Sequence, residues 1–579
     1  MHTKDKKEYI FAAAAVVLTF LSGGMFWQGC IIPMLLLCAV IALGKIGVRT
    51  AVYIIVYIPL LAASLICTKG DMQAGIYESE KLLCFALALS AGVAAGKRYS
   101  FLTAAAVFAA VLGLAAYCGL DIAEYTFWDR GVLRLQSSLG YANTMACLLA
   151  CGYFALLEKT DKRIFRYAAM GILIAMYLTF SKACIPIFLL VGTLYIYKER
   201  KHRTFFAIAN LAALIVCALT FAAVKRHMSF LAAVIILCGI AAAGEIKMGD
   251  KYFRLWLVLG AVGIAFVIVA VIKNPLLVTT LSKRMQYSND ALGLIGKNPI
   301  FGNGAGSWRV LQLGVQSDGY DVKYLHNSPL QLIIENGFLF TALFYAPVVY
   351  AFCRTVKHRE RAAAAILLVI TLHSFVDLDL SFALMLTIYG AVSGMCMSEE
   401  KAAESERFRL PLVCIVIAFT LAIVSYMTAE YFIRGKMEKS YINGDFKAAK
   451  NYSETLDRLC PGDSSLKVTE ADMALKSGDA EGAKRLLEKA VRLSENDPEI
   501  FRQYIEYASD NADDIMKYIS MNPKQERAYT NAKSMAERLY SAGKLSDVEY
   551  ADLDEKIENY REKEHVTDRN RLLETLSEK

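Results

Sequence analysis

The sequence has no cysteines at zinc-ligand spacing and no P-loop. Of its fourteen cysteines, all but Cys460 lie in or at the ends of apolar segments. They read as small residues packing inside a membrane, and no disulfide framework or metal centre follows. The glycine-rich turn Gly302-Asn303-Gly304-Ala305-Gly306 is not followed by Gly-Lys-Ser or Gly-Lys-Thr, which excludes the Walker type of nucleotide site. A basic stripe is also missing. The formal charge is +8, but lysine and arginine are spread among short connections between apolar runs, which excludes a nucleic-acid-binding face.

What fills the chain instead is apolar sequence. Hydrophobic residues make up 56% of 579, and mean hydropathy is +0.39. Apolar runs close to the ~20 residues needed to cross a bilayer recur throughout the first three-quarters. This excludes a soluble enzyme and predicts an all-α fold, a polytopic bundle of transmembrane helices followed by a soluble helical domain. Runs centred near residues 18, 37, 59, 89, 110, 148, 173, 190, 214, 236, 263, 342, 369, 388 and 422 give about 15 spans, with a range of 12–15. The first follows MHTKDKKEY and reads as a transmembrane helix rather than a cleaved signal, because further spans follow at once and no cleavage site intervenes.

Lysine and arginine clusters fall in alternate connections, from Lys4/Lys6/Lys7 to Arg354/Lys357/Arg359/Arg361, with Lys225-Arg226-His227 as the exception. The positive-inside rule puts those connections and the N terminus in the cytoplasm, and an odd span count leaves the C-terminal domain outside. The stretch Asp121 to Leu135, the turn Thr179-Phe180-Ser181-Lys182, the loop 273–327 and Asp377/Asp379 then share the outer face. The membrane domain covers residues 1–433 and the soluble domain 434–579.

The loop 273–327 is the longest polar interruption in the apolar part. Its aromatic, apolar and turn residues predict an ordered site loop. Among seven histidines, topology assigns His202 and His358 to cytoplasmic loops, His2 to the cytoplasmic terminus and His565 to the tail. His227 lies in the exceptional basic turn and His373 within a span. His326 remains, at the start of a helix that Asn327 would cap and Ser328-Pro329 would open. The plainer alternative is an interfacial polar residue. Arg130, Arg134, Lys182, Lys283, Arg284, Arg309 and Lys323 face the same side. The planar arginine fork suits a diphosphate, although snorkelling to lipid headgroups would produce the same placement.

Beyond residue 433 the composition turns polar. Asn443-Gly444-Asp445 with Ala449-Lys450 recurs 34 residues later as Ser477-Gly478-Asp479 with Ala483-Lys484, and Pro461-Gly462-Asp463 recurs as Glu495-Asn496-Asp497. This period resembles tetratricopeptide repeats, arrays that present a concave surface to peptides or partner proteins.

Arg134-x-x-Ser137-x-x-Gly140-Tyr141-x-Asn143-x-x-Ala146, then Thr179-x-Ser181-Lys182, then Asn298-Pro299-Ile300-Phe301-Gly302-x-Gly304-x-Gly306, then His326-Asn327-x-x-Leu330-Gln331 and Glu335-x-Gly337 occur in that order. Over residues 120–400 this pattern resembles the O-antigen ligase and polymerase superfamily. The resemblance implies an inverting, metal-independent membrane glycosyltransferase without a cofactor, acting outside the bacterial cytoplasmic membrane on an undecaprenyl-diphosphate-linked glycan. The acceptor would be a glycan, lipid or protein hydroxyl. His326 matches the family's essential loop histidine, and Arg134 and Arg284 match basic positions that hold the donor diphosphate. Lys182 stands where the family usually has arginine, and lysine cannot make the bidentate phosphate contact.

On this reading His326 takes the acceptor proton while Arg134 and Arg284, assisted by Lys182 or Arg309, neutralise the leaving diphosphate. Asn143, Asn327, Gly302, Gly304, Glu335 and Asp377 support the site, and the repeats offer a docking face for an envelope-assembly protein. Two rival classes are a transporter or flippase of the same lipid-linked glycan and a membrane scaffold acting through its repeats.

Overall fold

The computed structural model describes residues 30–43, 48–95, 99–119, 125–129, 132–199, 202–222, 275–397 and 406–564, with three isolated positions nearer the N terminus. The expected spans near 18, 236 and 263 lie outside the described residues, as do Lys225-Arg226-His227, Arg130, His2 and His565. Among the described residues there are 21 α-helices and a single two-stranded sheet.

Four helices open the described chain: α1 (Ile31–Leu43), α2 (Val48–Ile66), α3 (Met72–Ala95) and α4 (Ser100–Tyr117). A hairpin of β1 (Thr126–Asp129) and β2 (Val132–Leu135) follows, antiparallel with Phe127 opposite Arg134. Next come α5 (Ala142–Leu157), α6 (Arg163–Leu178), α7 (Cys184–Lys198), α8 (Arg203–Ala222), α9 (Pro275–Ile295) and the short turn α10 (Trp308–Leu311). The apolar part ends with α11 (Ser328–His358), α12 (Arg361–Ser374), α13 (Ala383–Met397) and α14 (Glu406–Ile442).

Among the described residues, three helices are long enough and apolar enough to cross a bilayer: Ser100–Tyr117, Ser328–His358 and Val413–Ile442. Seven more contribute apolar stretches of 10–17 residues. The expected number of about 15 therefore counts apolar runs rather than full-length spans. All the expected centres outside the undescribed segments fall within helices, but several of those helices are short. Others are interrupted: α3 carries Glu78, Glu80 and Lys81, and α11 breaks at Gly337, where φ is +78°.

The core runs through the apolar helices, and its most extensive helix contact is between α3 and α13. A Cβ on Gly92 would stand 2.3 Å from the Ala391 carbonyl oxygen, one on Gly390 2.3 Å from that of Phe85, and one on Gly394 2.0 Å from that of Leu89. The two backbones touch because three positions carry no side chain, the small-residue packing expected where lipid provides no hydrophobic drive. Phe85 and Phe344 stack beside this seam, their centroids 4.1 Å apart.

The first part of the expected site loop is not loop. Residues Pro275–Ile295 form α9, whose Ala291 and Leu294 join Trp308, Leu325, Leu330 and Ile334 in a small apolar cluster. Tyr287, Ala291, Leu294 and Ile295 recur at helical spacing, but the intervening Ser, Lys, Arg, Gln, Asn and Asp lower the hydropathy that sequence reading follows.

The C-terminal domain is a run of helical hairpins: α15 (Phe446–Leu459), α16 (Ser464–Lys476), α17 (Ala480–Leu493), α18 (Pro498–Tyr507), α19 (Ala512–Met521), α20 (Glu526–Ser541) and α21 (Asp547–Lys563). The repeated Asp-Asp spacing is a repeated cap. Asp445 and Asp479 accept from the backbone of Ala448 and Gly482, and Asp463 and Asp497 from that of Leu466 and Ile500. Buried positions repeat with them, Ala449 with Ala483 and Leu466 with Ile500. This domain docks on the apolar part at several points. The Asp71 carboxylate accepts from Ser464 N at 3.0 Å, Asn496 donates to the Lys69 carbonyl at 2.9 Å, and Gln525 donates to the Tyr320 carbonyl at 2.9 Å.

Candidate functional site

Asp377 lies between α12 and α13 with no solvent exposure, and four side chains from distant segments and one neighbouring amide meet its carboxylate. Tyr141 Oη and Asn143 Nδ2, at the start of α5, reach Oδ1 and Oδ2 at 2.7 Å each. Arg284 Nη1 on α9 reaches Oδ2 at 3.2 Å and also donates to the Val376 carbonyl at 2.6 Å. His326 Nδ1 lies 3.3 Å from Oδ1, and the Leu378 amide caps the same oxygen at 2.9 Å. Burial alone would raise this carboxyl. The hydrogen bond from His326 and the charge of Arg284 outweigh it and hold Asp377 well below the usual carboxylate range.

The start of α11 fixes His326. Asn327 accepts from the Leu330 amide at 3.1 Å, Pro329 stands in the first turn, and Ser328 Oγ donates to the Asp377 carbonyl at 2.9 Å. The helix start expected from the sequence is therefore present. With Nδ1–H donated to an ionised Asp377, Nε2 carries the lone pair, and the side chain is 19% exposed.

Arg134 is one step further out. Its Nη2 donates to Asn143 Oδ1 at 2.9 Å, its Nε to the Thr179 carbonyl at 2.8 Å, and its Nη1 to Asp129 at 2.9 Å. Every nitrogen of this guanidinium already has a protein acceptor, so Arg134 orders Asn143 and the Thr179 turn. Arg284 uses Nη1 alone in its hydrogen bonds, which leaves the rest of its fork for an anion. Lys182 is exposed at the end of the Thr179 turn.

The remaining expected residues form a second group behind α11. Asn303 N donates to the Ile334 carbonyl and Gly304 N to that of Glu335, both at 2.8 Å, while Phe338 N donates to the Pro299 carbonyl at 2.8 Å. The glycine turn is thus bonded to the break in α11. Gly302, at φ +75°, and Gly337 are required there, since a Cβ on either would overlap the opposing backbone at 2.3 and 2.1 Å. Glu335 accepts from the Trp308 amide at 3.2 Å and from Gln331 at 3.4 Å. Arg309 is exposed, and its charge acts on Tyr324 and Asp497 rather than on Asp377.

Sequence reading missed Tyr141 as an Asp377 partner and missed the Glu78–Lys81–Tyr324 group entirely. Lys81, its side chain 3% exposed, places Nζ 2.6 Å from Glu78 and donates to Tyr324 Oη at 2.8 Å, and Tyr324 donates to Glu78 at 2.7 Å. A cavity of about 20 Å³, room for one water, separates this group from Ser328 and Glu335. The available signal was two opposite charges three residues apart within an apolar run. Neither a known family nor a curated protein matches this chain.

Proposed function

We propose that the chain is a polytopic membrane glycosyltransferase that moves a glycan from a polyprenyl-diphosphate carrier to an acceptor hydroxyl at the outer face of the bacterial cytoplasmic membrane. The observation that carries this reading is the convergence of three separate segments on Asp377: Tyr141 and Asn143, Arg284, and His326. A carboxylate that orients an imidazole, beside a guanidinium with unused donors, is the equipment for deprotonating a hydroxyl while a phosphate leaving group departs.

In this reading His326 Nε2 takes the acceptor proton. Asp377 fixes the tautomer and stabilises the imidazolium that forms. Arg284 meets the diphosphate as negative charge develops on it, and Arg134 keeps Asn143 and the Thr179 turn in place. Attack from the face opposite the carrier inverts the anomeric centre. The apolar helices fit a membrane site for the polyprenyl chain. The C-terminal hairpins fit an outer docking face for an acceptor or an envelope-assembly protein, resembling tetratricopeptide arrays.

A transporter is the second reading, supported by the helix break at Gly337 and the buried Lys81 paired with Glu78, since broken helices and intramembrane charges mark translocation paths. Reconstituted protein given a short glycan on polyprenyl diphosphate and a sugar acceptor separates the two. Release of polyprenyl diphosphate that requires His326 supports transfer. Movement of intact donor between leaflets without release supports transport.

A further inference from the structure

A second histidine–carboxylate pair lies two residues beyond Asp377 and takes no part in the proposed transfer. His373, near the end of α12, places Nδ1 2.6 Å from Asp379 Oδ2, and Thr144 donates to Asp379 Oδ1 at 2.8 Å. Both residues have no solvent exposure. The Nε2 atom of His373 is buried without a hydrogen-bond partner. An orphaned imidazole nitrogen in a dry interior costs about 1–3 kcal/mol and calls for a bound group.

One thiol lies against this pair, and two more lie behind it. Cys147 lies one turn beyond Thr144 on α5, and its sulfur lies within 4.8 Å of ligand atoms of both His373 and Asp379. Cys151, one further turn along the same face, and Cys184, the first residue of α7, interact with the Cys147 thiol. All three cysteines have no solvent exposure. Sequence spacing concealed the group, because its members come from three helices and one loop.

We infer that Cys147 and His373, with Asp379 beside them, bind a thiolate-preferring metal ion, Zn(II) or Cu(I), as a structural site. The chemistry is consistent at each position. Soft sulfur with imidazole selects these ions over Mg(II) or Ca(II). A metal-bound histidine ordinarily donates its other ring N–H to a carboxylate, which is the His373–Asp379 arrangement. For Zn(II), one thiolate and one carboxylate with neutral imidazole cancel the charge, so the ion would bury no net charge once one thiol proton is released to solvent. The ion would tie α5 and α12 to the segment that presents Asp377.

The test uses the full chain purified in detergent without a metal-affinity step. Zinc and copper are quantified by mass spectrometry, and Co(II) is exchanged in to look for thiolate-to-cobalt charge-transfer absorption. The expected result is about one ion per chain, a cobalt–thiolate band, loss of both in Cys147→Ala, and retention in Cys396→Ala, a buried cysteine elsewhere. Asp379→Asn should weaken affinity about 10- to 100-fold. Monodisperse wild type lacking both metals and producing no cobalt–thiolate band overturns the inference without recourse to any variant. A band that survives Cys147→Ala also overturns it. Neither readout depends on glycan transfer.

Discussion

His326 and Asp377 are 51 residues apart in the chain and 3.3 Å apart through Nδ1 and Oδ1. The opposite oxygen of the same carboxylate receives Arg284 at 3.2 Å. One buried anion thus orients both the imidazole and the guanidinium that the proposed transfer would use.

Replacing Asp377 with asparagine keeps the shape but removes the charge that fixes the His326 tautomer. Transfer should fall roughly 10²- to 10⁴-fold, and stability by about 3 kcal/mol, because buried donors lose a charged partner. The pH dependence follows from the sign of the shift. The folded carboxyl titrates below its unfolded value, so its contribution is complete above the unfolded pKa of about 3.9 and is lost as pH falls further. Thermal unfolding in detergent should show a wild-type advantage that is constant between about pH 5 and 8 and shrinks in stronger acid.

Arg284→Lys keeps the charge and loses the fork. A lysine has its three donors on one nitrogen, so it cannot hold Val376 and Asp377 with one arm and offer a second arm to a phosphate. Donor binding should weaken about 10- to 100-fold, equivalent to ~1.5–3 kcal/mol, with little change in melting temperature. Isothermal titration with a polyprenyl-diphosphate analogue checks this.

Gly337→Ala places a Cβ 2.1 Å from the Ile300 carbonyl oxygen at a φ of +78°. The strain should cost about 3 kcal/mol or more. Gly171→Ala, inside α6 with nothing within 4 Å, should be neutral or stabilising by about 0.5–1 kcal/mol. Paired melting curves decide it.

Two caps in the C-terminal domain should differ. Asp479 only caps α17, so Asp479→Ala should cost about 1 kcal/mol. Asp463 caps α16 and also pairs with Arg434 of α14 at 2.6 Å. Asp463→Ala should therefore cost more and raise hydrogen exchange at the junction of α14 with the hairpins.

The legible parts of the chain were those encoded locally. Helix positions followed from apolar runs, the α11 start from Asn327 and Pro329, and the hairpin register from aspartates spaced at 34 residues. Helix α9 was misread because its apolar stripe is narrow and its other faces are polar. Asp377 was ranked as a supporting span-end residue, and it is the hub. Its importance comes from partners on α5, α9 and α11, and nothing in the residues beside it encodes them. The same holds for the thiols near His373, whose spacing means nothing until the helices meet.

The central claim is that His326 acts in glycan transfer. It is tested most directly by profiling lipid-linked glycans in cells carrying wild type, a deletion, or His326→Ala at normal abundance. The account predicts that His326→Ala reproduces the deletion, accumulating single repeat units if the protein polymerises or finished lipid-linked polymer if it ligates. A normal profile in His326→Ala beside an abnormal deletion would contradict it.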